Sequence, residues 1–83
     1  MRESTYNGWK NRQTWNVALW IQNEEPLYRA AVDYVARTGR RATYAGFIKS
    51  AGMVQDRTPD GIAWLGTRLD YRALSDMMRE LAQ

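Results

Sequence analysis

Apolar positions recur at helical intervals along most of this chain, and capping residues stand where the runs begin and end. Asn11 serves as N-cap for a predicted helix of about Arg12 to Gln22. Trp15, Val17, Ala18, Leu19, Trp20 and Ile21 make it apolar on most sides and leave a narrow polar stripe at Asn16 and Asn23. A helix of that kind sits centrally in its domain. Val17 to Ile21 also reads as a short buried strand, but the capping signals on both sides favour helix. Trp15 and Trp20 are therefore expected in the core, with Asn16 satisfying an indole or a buried carbonyl.

Asn23 is expected to cap a second helix. Glu24 and Glu25 fall in its first turn, where the helix dipole favours negative charge, and Pro26 is tolerated there. Leu27, Tyr28, Ala31, Val32, Tyr34 and Val35 form one face; Arg29, Asp33 and Arg37 form the other at four-residue spacing. Gly39 ends the run. Thr43 caps a third helix with Tyr44, Phe47, Ile48 and Ala51 inward and Lys49 outward, stopped by Gly52. Thr58-Pro59-Asp60 reads as a cap, an N1 proline and a first-turn acid, opening a short helix through Ile62, Trp64 and Leu65 to Gly66. Asp70 caps the last helix. Leu69 and Leu74 match a hydrophobic staple, and Leu74, Met77, Met78 and Leu81 recur at helical spacing. Arg72, Ser75, Asp76 and Arg79 are expected to face water. The predicted fold is all-α: a compact single-domain bundle of four or five short helices over residues 1–83, with 1–10 as an irregular N-terminal segment carrying the turn pair Asn7-Gly8.

Composition narrows the chemistry. A chain of 83 residues buries only about 60–65% of its unfolded surface, so its core is limited. With no cysteine it has no disulfide, thiolate metal site or thiol nucleophile, and packing of four Trp, five Tyr and four Met must compensate. With no histidine either, a catalyst would depend on carboxylates, Lys, Ser or Tyr. Asp56 and Asp60 flank Thr58-Pro59, and a carboxylate pair can run glycoside chemistry or attract a hard cation. Each, however, is explained as a loop or first-turn acid, and no calcium-loop or phosphate-loop spacing is present. The expectation is no enzyme, no cofactor, no metal and no small-molecule substrate. The longest apolar run, Val17 to Ile21, is far below the ~18–20 residues of a membrane span, and the N-terminus lacks a signal-peptide pattern. A soluble, cytoplasmic protein without membrane contact is expected.

Net charge is +3, carried by ten arginines against two lysines. That total is too small to imply nucleic-acid binding and argues against a DNA mimic. Arg37, Arg40, Arg41, Lys49 and Arg57 stand together in sequence with Asp56 as the one acid among them. Tyr44 and Phe47 interleave, and the outline resembles a helix-turn-helix. Tyr44, Phe47 and Ile48 are at core spacing, which leaves few positions for base edges. These five cations are the candidate partner-binding residues. Trp9 joins them, either as an exposed anchor or as a lid folded back on the bundle.

Tyr6-Asn7-Gly8-Trp9, Asn11, Thr14-Trp15-Asn16-Val17-Ala18-Leu19-Trp20 and Asn23-Glu24 resemble the opening of a family of small proteins spread through bacteriophages, plasmids and their bacterial hosts. The likeness is strong over residues 6–28 and looser afterwards; the turn at Arg40-Arg41 has no place in the pattern. The resemblance implies a mobile-element accessory protein acting in the cytoplasm of its bacterial host, and supplies no activity. Small rigid phage proteins often bind a host machine and block it, anti-CRISPR proteins among them. The leading expectation is a non-enzymatic inhibitor binding a host protein or ribonucleoprotein, a CRISPR effector being the most concrete candidate. A small basic nucleic-acid-binding protein and a self-associating structural domain are the alternatives.

Overall fold

The computed structural model describes residues 6–83. Four α-helices form: α1 (Arg12–Asn23), α2 (Glu25–Thr38), α3 (Tyr44–Ser50) and α4 (Tyr71–Leu81), with one turn of 3₁₀-helix at Gly39–Arg41. Among the described residues no strand forms beyond two isolated β-bridges. The fold is all-α, as the sequence pattern predicts. Residues 1–5 of the expected irregular opening lie outside the described residues.

Three of the expected caps close as hydrogen bonds. Asn11 Oδ1 accepts from the Thr14 amide at 2.9 Å. Thr43 Oγ1 accepts from Gly46 at 3.1 Å, and Asp70 Oδ1 from Ala73 at 3.1 Å. The start of α2 differs: Asn23 is the last residue of α1, and Glu24 is the N-cap without a side-chain bond. The junction is one residue long, so Asn23 still has helical backbone and cannot turn its side chain onto the next helix's amides.

The core joins Val17, Ala18 and Ile21 of α1, Ala31 and Val35 of α2, Tyr44, Phe47 and Ile48 of α3, and Leu74, Met77 and Met78 of α4. Helix α1 packs on α2, while α4 packs on α2, α3 and α1. Leu69 and Leu74, the expected staple pair, are buried in this same cluster. Ser75 is buried rather than exposed: its oxygen accepts from the Tyr44 amide at 2.8 Å and its hydroxyl donates to the Tyr71 carbonyl at 2.9 Å. Arg79 also turns inward, donating to the Ala42 carbonyl at 2.7 Å and pairing with Asp76. Both tie the helix to neighbouring backbone where an apolar stripe alone would have left them in water. Ala51 and Tyr28 fall on the exposed side.

The tryptophans are placed differently from expectation. Trp64, in the loop before α4, is the buried one at 4% exposure. Trp20 and Trp9 are half-buried against the core. Trp15 packs on Tyr6, ring centroids 4.8 Å apart, and does not join the core cluster. Val17, Ala18 and Ile21 occupy the flank of α1 that joins the core, Asn16 takes the place against the 53–69 loop, and Trp15 falls outside both. Tyr6 and Trp9 close a tight turn, with reciprocal amide-to-carbonyl bonds of 2.6 and 2.8 Å. Asn7 and Gly8 carry φ of 50° and 89°, the left-handed pair that a type I′ turn requires and an Asn-Gly sequence supplies.

The predicted helix at 59–65 does not form. Thr58-Pro59-Asp60-Gly61 is instead a β-turn, with the Gly61 amide donating to the Thr58 carbonyl at 2.8 Å. Thr58 and Ile62 pair through an amide-to-carbonyl bond of 2.8 Å, and Arg57 bridges Ala63. Proline in second and glycine in fourth position suit this turn as well as a proline suits a helix start. Gly61, at φ 90°, tips the choice. A seven-residue helix containing a glycine would not offset the cost of nucleation.

Candidate functional site

The 53–69 loop has only a few backbone bonds of its own, so side chains seat it on the helices, and most of them come from α1 and its N-cap. Asn16 is 1% exposed. Its amide Nδ2 donates to Asp60 Oδ2 at 2.7 Å, and its Oδ1 accepts from the Thr58 hydroxyl at 2.8 Å. The Trp20 indole donates to the same Asp60 oxygen at 3.0 Å. Thr58, itself 3% exposed, accepts through Oγ1 from the amides of Asp60 and Ile62, at 3.2 and 3.1 Å. One turn earlier, Asn11 Nδ2 donates to the Arg68 carbonyl at 2.8 Å and Thr14 Oγ1 accepts from the Asp70 amide at 3.0 Å. Asn11, Thr14 and Asn16 thus clamp the middle of the loop, at Thr58 and Asp60, and its C-terminal end, at Arg68 and Asp70, to one helix. Among the described residues every buried side-chain nitrogen and oxygen has a partner.

The bonds from Asn16 and Trp20 hold the Asp60 carboxyl below the ordinary aspartate range against an opposing effect of desolvation, and the Arg12 charge adds a lesser lowering. Asp60 is therefore an ionised, hydrogen-bonded anchor and a weak proton acceptor. It is not the first-turn helix acid expected from sequence. Burial, and then the neighbouring Tyr71, push the Tyr44 phenol far above its usual value; its hydroxyl donates to the Trp64 carbonyl. Burial also raises Tyr71, which donates to the Gly66 carbonyl at 2.6 Å. Both tyrosines fasten the far side of the loop as neutral donors. Among the described residues no three Asp, Glu, His or Cys side chains come together as a metal-ligand set.

The clamped loop and α1 enclose a groove of about 240 Å³, lined by Gln13, Arg57, Ile62, Ala63, Arg68 and Leu69 with intervening backbone. Arg57 Nη1 donates to the Gly61 carbonyl at 3.0 Å, which holds its guanidinium at the groove edge. The Arg68 side chain is exposed, and among the described residues it has no acidic partner.

The six candidate contact residues do not share one recess. Arg57 stands with Arg68 at the N-terminal end of α4. Arg40 stands with Arg79, Ala82 and Gln83 at the C-terminal end, about one 11-residue helix, or ~16 Å, away. Arg37 pairs with Asp33 at 3.1 Å beside the recess between α2 and α3. Arg41 and Lys49 are exposed on the 3₁₀ turn and α3, and Trp9 lies half-buried as a lid. Arg68 and Gln13 escaped the sequence reading. Their only signal is proximity to Asn11 and Asp70, and the bond that brings Arg68 to α1 spans 57 positions.

The chain belongs to a family of unknown function, DUF7249, whose model matches residues 2–83. No curated protein and no solved structure gives a significant match.

Proposed function

We propose that this chain is a non-enzymatic binding protein of a phage or mobile element, acting in the bacterial cytoplasm by stoichiometric contact with a host protein or ribonucleoprotein. The observation that carries the reading is the disposition of charge. Glu25, Asp33 and Asp76 pair with arginines on their own helices, and Asp60 and Asp70 are occupied within the fold. Arg40, Arg41, Lys49, Arg68 and Arg72 stay exposed without acidic partners among the described residues. Cations in that state suit complementary acidic or phosphate-lined surfaces. The likeness of residues 6–28 to mobile-element proteins supports the origin, and a CRISPR effector is the most concrete target on the habit of such small proteins to block host defence.

The test is capture from host lysate with and without nuclease. A one-to-one complex that survives nuclease is the expected result. Complex loss on nuclease treatment, with sub-micromolar binding to labelled duplex and a log–log salt slope of about −3 for three or four arginine contacts, would transfer the function to direct nucleic-acid binding.

A further inference from the structure

We propose that the groove between α1 and the clamped loop is a docking notch for a carboxylate-bearing segment of a protein partner. The inference deepens the binding reading above by assigning it a surface and a ligand chemistry. Arg57 and Arg68 flank the groove and both are exposed. Arg57 is held by its bond to the Gly61 carbonyl, so one of its five N–H donors is committed and the others remain for a ligand. Gln13 adds an amide on the α1 side, and Ile62, Ala63 and Leu69 supply the apolar part of a mixed lining. Two arginines beside such a lining match a side-chain carboxylate flanked by aliphatic residues.

Other occupants fit less well. At about 240 Å³ the notch is smaller than the ~300–1,000 Å³ of small-molecule pockets. No aromatic ring lines it, whereas single-stranded nucleic acids bind by stacking on such rings. Asp60, held ionised by Asn16 and Trp20 next to the lining residue Gly61, opposes a continuous polyanion more than a single carboxylate seated between two arginines. The groove is also pre-formed. Asn11 fixes the Arg68 backbone and Asn16 fixes the turn preceding Ile62, so binding orders little that is not already ordered.

The experiment is a nuclear magnetic resonance titration of the isotope-labelled full chain. The probes are a blocked tetrapeptide of alternating leucine and glutamate, its glutamine counterpart, and hexathymidylate. The expected result is saturable shifts of the Arg57 and Arg68 Nε–H and the Leu69 amide with the glutamate peptide alone. Arg68→Gln should weaken that binding roughly ten- to hundredfold, the loss of a charged hydrogen bond. Its side chain makes no bond within the described fold, so the variant remains folded even if Arg57→Gln disturbs the loop. Absence of saturable shifts, equal response to the glutamine peptide, or tighter binding of hexathymidylate at these signals would overturn the proposal. The titration needs no host partner. It can fail while a nuclease-resistant complex stands, and a failed capture leaves it intact.

Discussion

Helix α4 and the loop that precedes it are neighbours in the chain and are held by different forces. In α4, Leu74, Met77 and Met78 are buried at helical spacing and the helix follows from that stripe. The loop buries Trp64 and Leu69, yet its backbone has no repeating pattern. Its course is fixed by a few directional bonds, from Asn11, Thr14 and Asn16 on one side and from Tyr44 and Tyr71 on the other. Apolar burial draws its strength from many contacts at once and tolerates small shifts in direction. A loop placed by single hydrogen bonds loses its direction with any one of them, because each buried partner left behind is unsatisfied.

The largest expected effect lies in the tryptophans. Trp64→Ala should cost about 3–5 kcal/mol, as truncation of a core aromatic does, a large share of the ~5–15 kcal/mol by which such domains are stable. Trp15→Ala should cost clearly less, since Trp15 rests on Tyr6 outside the core. Urea melts of the two variants check the order, and a reversal would return Trp15 to the core. Next comes Asn16→Ala, which strands the buried Thr58 hydroxyl and removes a donor from Asp60; about 1–3 kcal/mol is expected. A neutral result would mean that the loop stands without its clamp.

A smaller effect is expected at Gly46, where an added Cβ would collide with the Tyr34 hydroxyl. The tyrosine must shift from Phe47, its ring partner at 5.8 Å, so Gly46→Ala should cost about 1 kcal/mol by thermal melt. The acid limb of stability is the subtlest test. Asp60 has a folded pKa below its unfolded value near 3.8, so its contribution is fully present above that value and is lost as pH falls through the folded one. Wild type should therefore lose more stability than Asp60→Asn as pH falls below about 3.8. Parallel losses would show that the carboxylate is not held by Asn16 and Trp20.

The parts of the molecule legible in sequence are those governed by period and capping. Helix starts at Asn11, Thr43 and Asp70, the end of α2 at Gly39, and the inward Tyr44, Phe47 and Ile48 of α3 and Leu74, Met77 and Met78 of α4 follow from local residues, whereas the inward turn of Ser75 and Arg79 does not. The course of the loop was not legible, because Thr-Pro-Asp opens a helix or a turn equally well and the contact that seats the turn on α1 comes from Asn16, 42 positions from Thr58. The same holds for the groove. Arg57 was visible as a cation, but its companion Arg68 is brought beside it only by the fold. Asn16 itself stood in plain view within an apolar helix, and an asparagine there needs a buried polar partner.

The central claim, that α1 places the loop through Asn16, is tested most directly by native-state amide hydrogen exchange of wild type and Asn16→Ala. The informative amides are Thr58, Gly61, Ile62 and Trp64, all bonded within the loop, with Leu74 of α4 as the reference. The account predicts that the loop amides lose protection selectively while Leu74 falls only by the global change in stability. Equal loss at all five positions, or unchanged protection in the loop, would contradict it.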